Sequence, residues 1–172
     1  MKVPKDKFIL DACCGPKYMW VNKNHPNTIY IDIHREEKGF IVTQKNIEIQ
    51  PDYIMDFRKL EFENNTFKLI YWDPPHLKTL GKTSIFRKKF GCLETQTWPT
   101  DLKQGFNEMW RVLENYGILI FKWSDNEIPL NSVLRQFKEK PLVHQISSSK
   151  ATSKTYWCSF MKIPNNNRNI YK

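Results

Sequence analysis

The stretch Phe67-Lys68-Leu69-Ile70-Tyr71-Trp72-Asp73-Pro74-Pro75-His76 decides how this chain is read. Its first six residues are mostly apolar and β-rich, the pattern of a strand buried inside a parallel sheet. Two prolines then end it, because a proline offers the ladder no N–H and its ring fixes the backbone. Asp73 and His76 are left just past the carboxyl end of a strand, where open α/β sheets bind their ligands. Pro-Pro after a strand is also common loop punctuation, so the reading depends on what lies upstream.

Three more acidic residues stand at strand ends, in consistent order. Lys7 to Asp11 reads as a strand that runs into Ala12-Cys13-Cys14-Gly15-Pro16. Small side chains there let the backbone approach a ligand closely, and Gly15 has no Cβ to obstruct it. Cys13 stands where a nucleotide-binding turn has its first glycine. That departure argues against a dinucleotide fold, whose pyrophosphate needs a glycine-rich turn. Thr28 to Ile33 is a β-branched strand ending near Asp32, at roughly the spacing where an acidic residue grips ribose hydroxyls. Pro51 to Phe62 contains a further strand end at Asp56-Phe57-Arg58. One acidic strand end is usually a solvated residue. Four in order point to a ligand site.

These residues resemble the motifs of class I S-adenosylmethionine (SAM) dependent methyltransferases. Asp11-Ala12-Cys13-Cys14-Gly15 resembles the first motif, usually Asp/Glu-x-Gly-x-Gly. Asp73-Pro74-Pro75-His76 resembles the Asp-Pro-Pro-aromatic motif of the amino-methylating members, with His76 in the aromatic place. With Asp56-Phe57-Arg58, Phe121-Lys122-Trp123 and Lys154-Thr155-Tyr156-Trp157, the chain looks like small class I methyltransferases of phage and bacterial chromosomes, from about Phe8 to Lys162. The resemblance implies a Rossmann-like α/β fold, a doubly wound and mostly parallel sheet that ends in an antiparallel hairpin. It implies SAM as cofactor, held by Asp11, Ala12, Cys13, Gly15, Asp32, Ile33, Asp56, Phe57 and Asp73. In that scheme Asp56 accepts a hydrogen bond from the adenine amino group. Asp73, Pro74, Pro75 and His76 are the implied catalytic residues. In the resembled enzymes the Asp side chain and the first proline carbonyl accept hydrogen bonds from the acceptor's amino group, which frees its lone pair for the methyl. Pro75 would stiffen the turn. His76 has three readings: a flat ring that stacks on a base, a proton acceptor near neutral pH, or a residue that fills the loop.

Composition sets the outer bounds. With 172 residues, 40% hydrophobic and 14% aromatic, the chain reads as a single domain over 1–163, followed by a flexible tail at 164–172. No apolar run approaches the roughly 20 residues that cross a membrane, and the N-terminus lacks a signal-peptide core, so a cytoplasmic site is expected. Cys13, Cys14, Cys92 and Cys158 show no Cys-x-x-Cys spacing and the four histidines are scattered, so neither a metal site nor a disulfide is expected. Lys plus Arg number 27 against 18 Asp plus Glu, for a net charge of +9 that favours polyanionic partners.

Downstream of the prolines, Leu77 to Pro99 reads as an extended segment carrying Lys78, Lys82, Arg87, Lys88 and Lys89, with Phe86 and Phe90 between them. A helix is expected next, capped at Thr100 or Asp101 and closed by Gly117, with Leu102, Phe106, Met109, Trp110 and Leu113 as its core stripe. Ile118 to Trp123 reads as a strand and Asn131 to Lys138 as a short helix. Strands near Pro141–Ile146 and Thr155–Ile163 form the final hairpin around a flexible loop, 147–153. The alternation of strands and helices predicts helices on both faces of the sheet.

The expected function is methyl transfer to an amino nitrogen of a nucleobase, with DNA or RNA bound through the basic segment Leu77 to Pro99. Two alternatives stand beside it: the same chemistry on a protein or small molecule, and a non-catalytic SAM-binding protein. Oligomeric state is left open.

Overall fold

A computed structural model describes residues 1–147 and 154–164. Most of the expected loop 147–153 and of the expected tail 164–172 lies outside them. Seven strands form one sheet in the order β3-β2-β1-β4-β5-β7-β6. They are β1 (Ile9–Asp11), β2 (Thr28–Asp32), β3 (Tyr53–Ile54), β4 (Phe67–Trp72), β5 (Leu113–Ser124), β6 (Val143–Ser147) and β7 (Thr155–Met161). The first five pair in parallel, while β7 lies antiparallel between β5 and β6. This is the expected Rossmann-like arrangement, in which the chain winds outward from β1 through β3 and then returns to place β4 on the other side of β1.

The helical layers are thinner than expected. Helices α1 (Ile85–Phe90) and α2 (Trp98–Val112) connect β4 to β5, and α3 (Leu130–Leu134) follows β5. The connections 12–27, 33–52 and 55–66 contain turns and bends but no α-helix. Alternation in the sheet strands concentrates the core on one face. Leu10, Ile70, Trp72, Leu119, Phe121, Trp123 and Phe160 are almost wholly buried, together with Leu102, Phe106 and Met109 of α2. Phe106 stacks on Phe137 with ring centroids 4.3 Å apart. Each such side chain contributes about 1.5–3 kcal/mol by leaving water. On the opposite face of β5, Ile118 keeps 38% of its surface exposed.

Several boundaries differ from the sequence reading. Leu77 to Pro99 is not simply extended: it contains α1, capped by the Ser84 side chain, and the first turn of α2. Helix α2 begins at Trp98 rather than beyond Thr100, with Thr97 as its N-cap and Pro99 in the first turn, where a missing N–H costs nothing. It ends at Val112 because Leu113 turns extended and pairs with Phe67 in the sheet. Gly117 therefore closes no helix. It sits inside β5, where an added Cβ would lie 2.8 Å from Leu113 Cδ1 and 2.9 Å from the Glu114 carbonyl oxygen. Close approach, not helix termination, explains that glycine. The short helix is α3, one turn ahead of its expected end, and Phe137 packs into the core from the turn beyond it.

Candidate active site

Where the winding reverses, the carboxyl ends of β1 and β4 lie side by side, with Asp11 in register with Tyr71. A crevice opens at this kind of switch point. Here it is a cavity of about 530 Å³, within the range of small-molecule sites. All twelve residues singled out in the sequence line it: Asp11, Ala12, Cys13, Gly15, Asp32, Ile33, Asp56, Phe57, Asp73, Pro74, Pro75 and His76. The fold gathers them from four strand ends and the turns that follow.

At the β1–β3 end the loop after β1 is tied down by backbone bonds. Ala12 N donates to the Tyr71 carbonyl at 3.0 Å and Cys14 N to the Ile31 carbonyl at 2.9 Å. Gly15, at φ +46°, donates its N–H to Asp32 Oδ2 at 2.8 Å. A side chain there would be strained by φ, while an added Cβ would only touch the Lys89 carbonyl, 3.4 Å away. His34 Nδ1 lies 3.1 Å from the other oxygen of Asp32. Asp11 is 1% exposed and accepts from the Trp20 indole at 2.7 Å and from Cys13 N at 3.3 Å. Burial dominates those bonds and lifts its carboxyl to about 7. Burial likewise pushes the Cys13 and Cys14 thiols up, with the neighbouring carboxylates adding to it, so both remain protonated packing groups. All four cysteines are free. Asp56 is gripped by Arg58, whose Nη2 lies 2.6 Å from Oδ2. Burial raises this carboxyl, but the bonds from Arg58 outweigh it and hold it below the usual range. Arg58 also reaches Asp101 of α2 at 2.9 Å.

At the β4–β5 end, Asp73 is engaged through both oxygens. Lys122 Nζ lies 2.6 Å from Oδ2 and His76 Nε2 lies 2.9 Å from Oδ1. The Tyr71 hydroxyl donates to Oδ2 at 3.2 Å. Burial would raise the Asp73 carboxyl, yet His76 and Lys122 together hold it below its ordinary value. The His76 ring meets Trp123 edge-on at 4.9 Å, and its Nδ1 is buried without a hydrogen-bond partner among the described residues. With one edge on Asp73 and another against Trp123, this imidazole is built into the wall of the site. That arrangement suits holding Asp73 better than presenting a free face to a base.

Three contributors carry no role that the sequence alone assigns. Trp20 comes from the turn-built connection after β1, where no periodicity marks it. Asp101 reads in the sequence only as a helix cap. Lys122 stands in the quoted Phe121-Lys122-Trp123 motif, but only the register Trp72↔Phe121 shows that it falls beside Asp73. Over the mouth, α1 has no buried residue. Lys89 Nζ sits 5.2 Å from the Phe90 ring centroid, 5.7 Å from Phe86 and 5.6 Å from Tyr18. No group of three or more metal-ligating side chains forms among the described residues. None of their helices is long and apolar enough to cross a membrane.

No family model matches the sequence, and no curated protein does either. Solved structures do match. The N-methyltransferase NodS from Bradyrhizobium japonicum WM9 aligns with a TM-score of 0.56 at 12% identity, over 91% of this chain and 85% of that one. A SAM-dependent methyltransferase from Methanosarcina mazei gives 0.55 at 12% identity, over 94% of each chain. The geranyl diphosphate C-methyltransferase of Streptomyces coelicolor A3(2), in complex with Mg2+, geranyl diphosphate and S-adenosyl-L-homocysteine, gives 0.54 at 8% identity, over 94% of this chain and 74% of that one. The chain has the class I methyltransferase fold. Its chemistry has to be argued from its own site.

Proposed function

We propose that this protein is a SAM-dependent methyltransferase that acts on an amino nitrogen of a nucleobase in DNA or RNA. The observation that carries the reading is one cavity shared by the acidic ends of β1 and β2, Asp56 after β3, and the Asp73-Pro74-Pro75 turn after β4. SAM bound there supplies an electrophilic methyl group on a sulfonium. In this reading Asp32 accepts from ribose hydroxyls, and Asp56, held still by Arg58, from the adenine amino group. At the other end, Asp73 and the Pro74 carbonyl accept from the acceptor's amino hydrogens and orient its lone pair. The sulfonium would supply the methyl for the new N–CH3 bond, its S–CH3 bond being the one broken, and the extra proton on nitrogen would pass to water. The residues contribute position and charge placement, which is what a direct displacement requires.

Nucleic acid as the acceptor is supported by the net charge of +9 and by the lysine-centred cluster of Tyr18, Phe86 and Phe90 at the cavity mouth. Aromatic faces stack bases and lysines meet phosphates. Incubation with labelled SAM and separated DNA, RNA and protein fractions tests the reading. Label in DNA or RNA is the expected result; label in protein alone, or in nothing, overturns it. The mouth is tested separately. Arg87 is occupied by the Leu80 carbonyl and Glu94, so the charges to reverse are Lys88 and Lys89. Converting both to Glu should weaken oligonucleotide binding and leave SAM affinity unchanged. The slope of log affinity against log salt should flatten by about 0.7–0.9 for each phosphate that is no longer neutralised.

A further inference from the structure

We propose that Lys122 is a specificity-determining residue: by neutralising Asp73 it admits an uncharged amino group to the acceptor end and turns away an aliphatic ammonium. This inference rests on the amino-transfer reading above and narrows its substrate class.

Lys122 projects from β5, one residue beyond the pair Trp72↔Phe121, and so arrives beside Asp73 from the neighbouring strand. Its ammonium and the carboxylate are 2.6 Å apart, and each side chain is only 19% exposed. Their charges cancel. The remaining groups around them add no accessible negative charge. His76 donates to the other oxygen, Tyr71 is a phenol held protonated by burial and by its acidic neighbours, and Asp11 is 1% exposed with its oxygens turned to the Trp20 indole and the Cys13 amide. The side chain of Lys122 also lies near the Trp157 ring, 5.9 Å from its centroid.

The consequence concerns which amines can bind productively. A lone buried carboxylate attracts cations, and an aliphatic amine, with a pKa near 10.4, would arrive protonated with no lone pair to attack the methyl. With Lys122 in place, a second ammonium brought to Asp73 faces like-charge repulsion inside a partly dry site. A nucleobase amino group carries no charge and meets no such penalty. Its hydrogens can still use the lone pairs of Asp73 that its three partners leave over. The ion pair thus screens out lysine side chains and polyamines, the acceptors a bare acidic site would favour.

The test compares wild type, Lys122→Met and Lys122→Arg, each saturated with S-adenosylhomocysteine at pH 7, by calorimetric titration with n-butylammonium. Lys122→Met should bind the probe at least about tenfold more tightly than wild type, while Lys122→Arg, which keeps the charge, should match wild type. Equal affinity for wild type and Lys122→Met overturns the inference. Should Lys122→Met fail to fold by circular dichroism, Lys122→Gln removes the charge with a polar stem and is read in the same way. A parallel assay with labelled SAM, an oligonucleotide and a lysine-rich peptide separates this inference from the function it rests on. An unlabelled oligonucleotide together with tighter ammonium binding by Lys122→Met overturns only the nucleobase reading. A labelled peptide in the wild-type reaction overturns the screening role of Lys122.

Discussion

Asp11 and Asp73 stand at the ends of adjacent strands of the same sheet, Asp11 fully buried and Asp73 mostly so, and are held in opposite ways. Asp11 is met by uncharged donors, the Trp20 indole and the Cys13 amide, and its carboxyl rises to about 7. Asp73 is met by Lys122 and His76 and is held below its usual value. Burial raises both groups, so the difference lies in the partners. One crevice thus contains a carboxyl poised to titrate near neutrality and another that stays ionised. Asp73 is thereby kept as a permanent acceptor, whereas Asp11 can change charge.

The sharpest way to break this contrast is to remove Asp73. Asp73→Ala should reduce methyl transfer by at least about a hundredfold, the scale of losing a preorganised polar group, while calorimetry shows SAM affinity nearly unchanged. A fully active variant would remove the amino-transfer mechanism. Next in size is the pH dependence of Asp11. Its folded value lies above the unfolded value near 3.9, so between about pH 4 and 7 the folded protein keeps a proton that the unfolded chain has lost. Stability must then fall as pH rises through that window, by up to about 1.4 kcal/mol per unit. Asp73 has the opposite sign: its contribution is present above the unfolded value and is lost in acid. Denaturant unfolding at pH 5 and 7.5 should show the Asp11→Asn protein gaining on wild type as pH rises; parallel curves would refute the assignment. The smallest effect belongs to Asp32. Asp32→Ala removes the anchor of Gly15 and a ribose acceptor, and should weaken SAM binding by about 1–3 kcal/mol. Unaltered affinity by calorimetry would place the ribose elsewhere.

The strand ends are legible in the sequence because each is marked locally, by an apolar run that stops at Asp11, Asp32 or Trp72 and by the turn residues after it. The paired prolines do more than mark a loop: they set Asp73 where the winding reverses. What stays hidden depends on distance along the chain. Lys122 meets Asp73 across 49 positions, through a strand register that no local pattern encodes. The boundary between α2 and β5 falls earlier than expected because Leu113 continues the helical spacing, yet sheet pairing with Phe67 outweighs one more helical turn. The missing helices between β1 and β4 are masked by the alternation expected of the fold. Trp20, which fixes Asp11, sits in one of those irregular connections.

The uneven helical cover also predicts how the molecule opens. The unit β4–α2–β5 is short in chain length and contains most of the stacked aromatic residues, so its amides should exchange with solvent only in near-global unfolding. Strands β2 and β3, joined by turns with no helix packed between them, should exchange through smaller openings. A ligand spanning both parts would slow the second group most, because it binds only when that half is closed. The thin side of the sheet then becomes the part of the protein whose folding the cofactor completes.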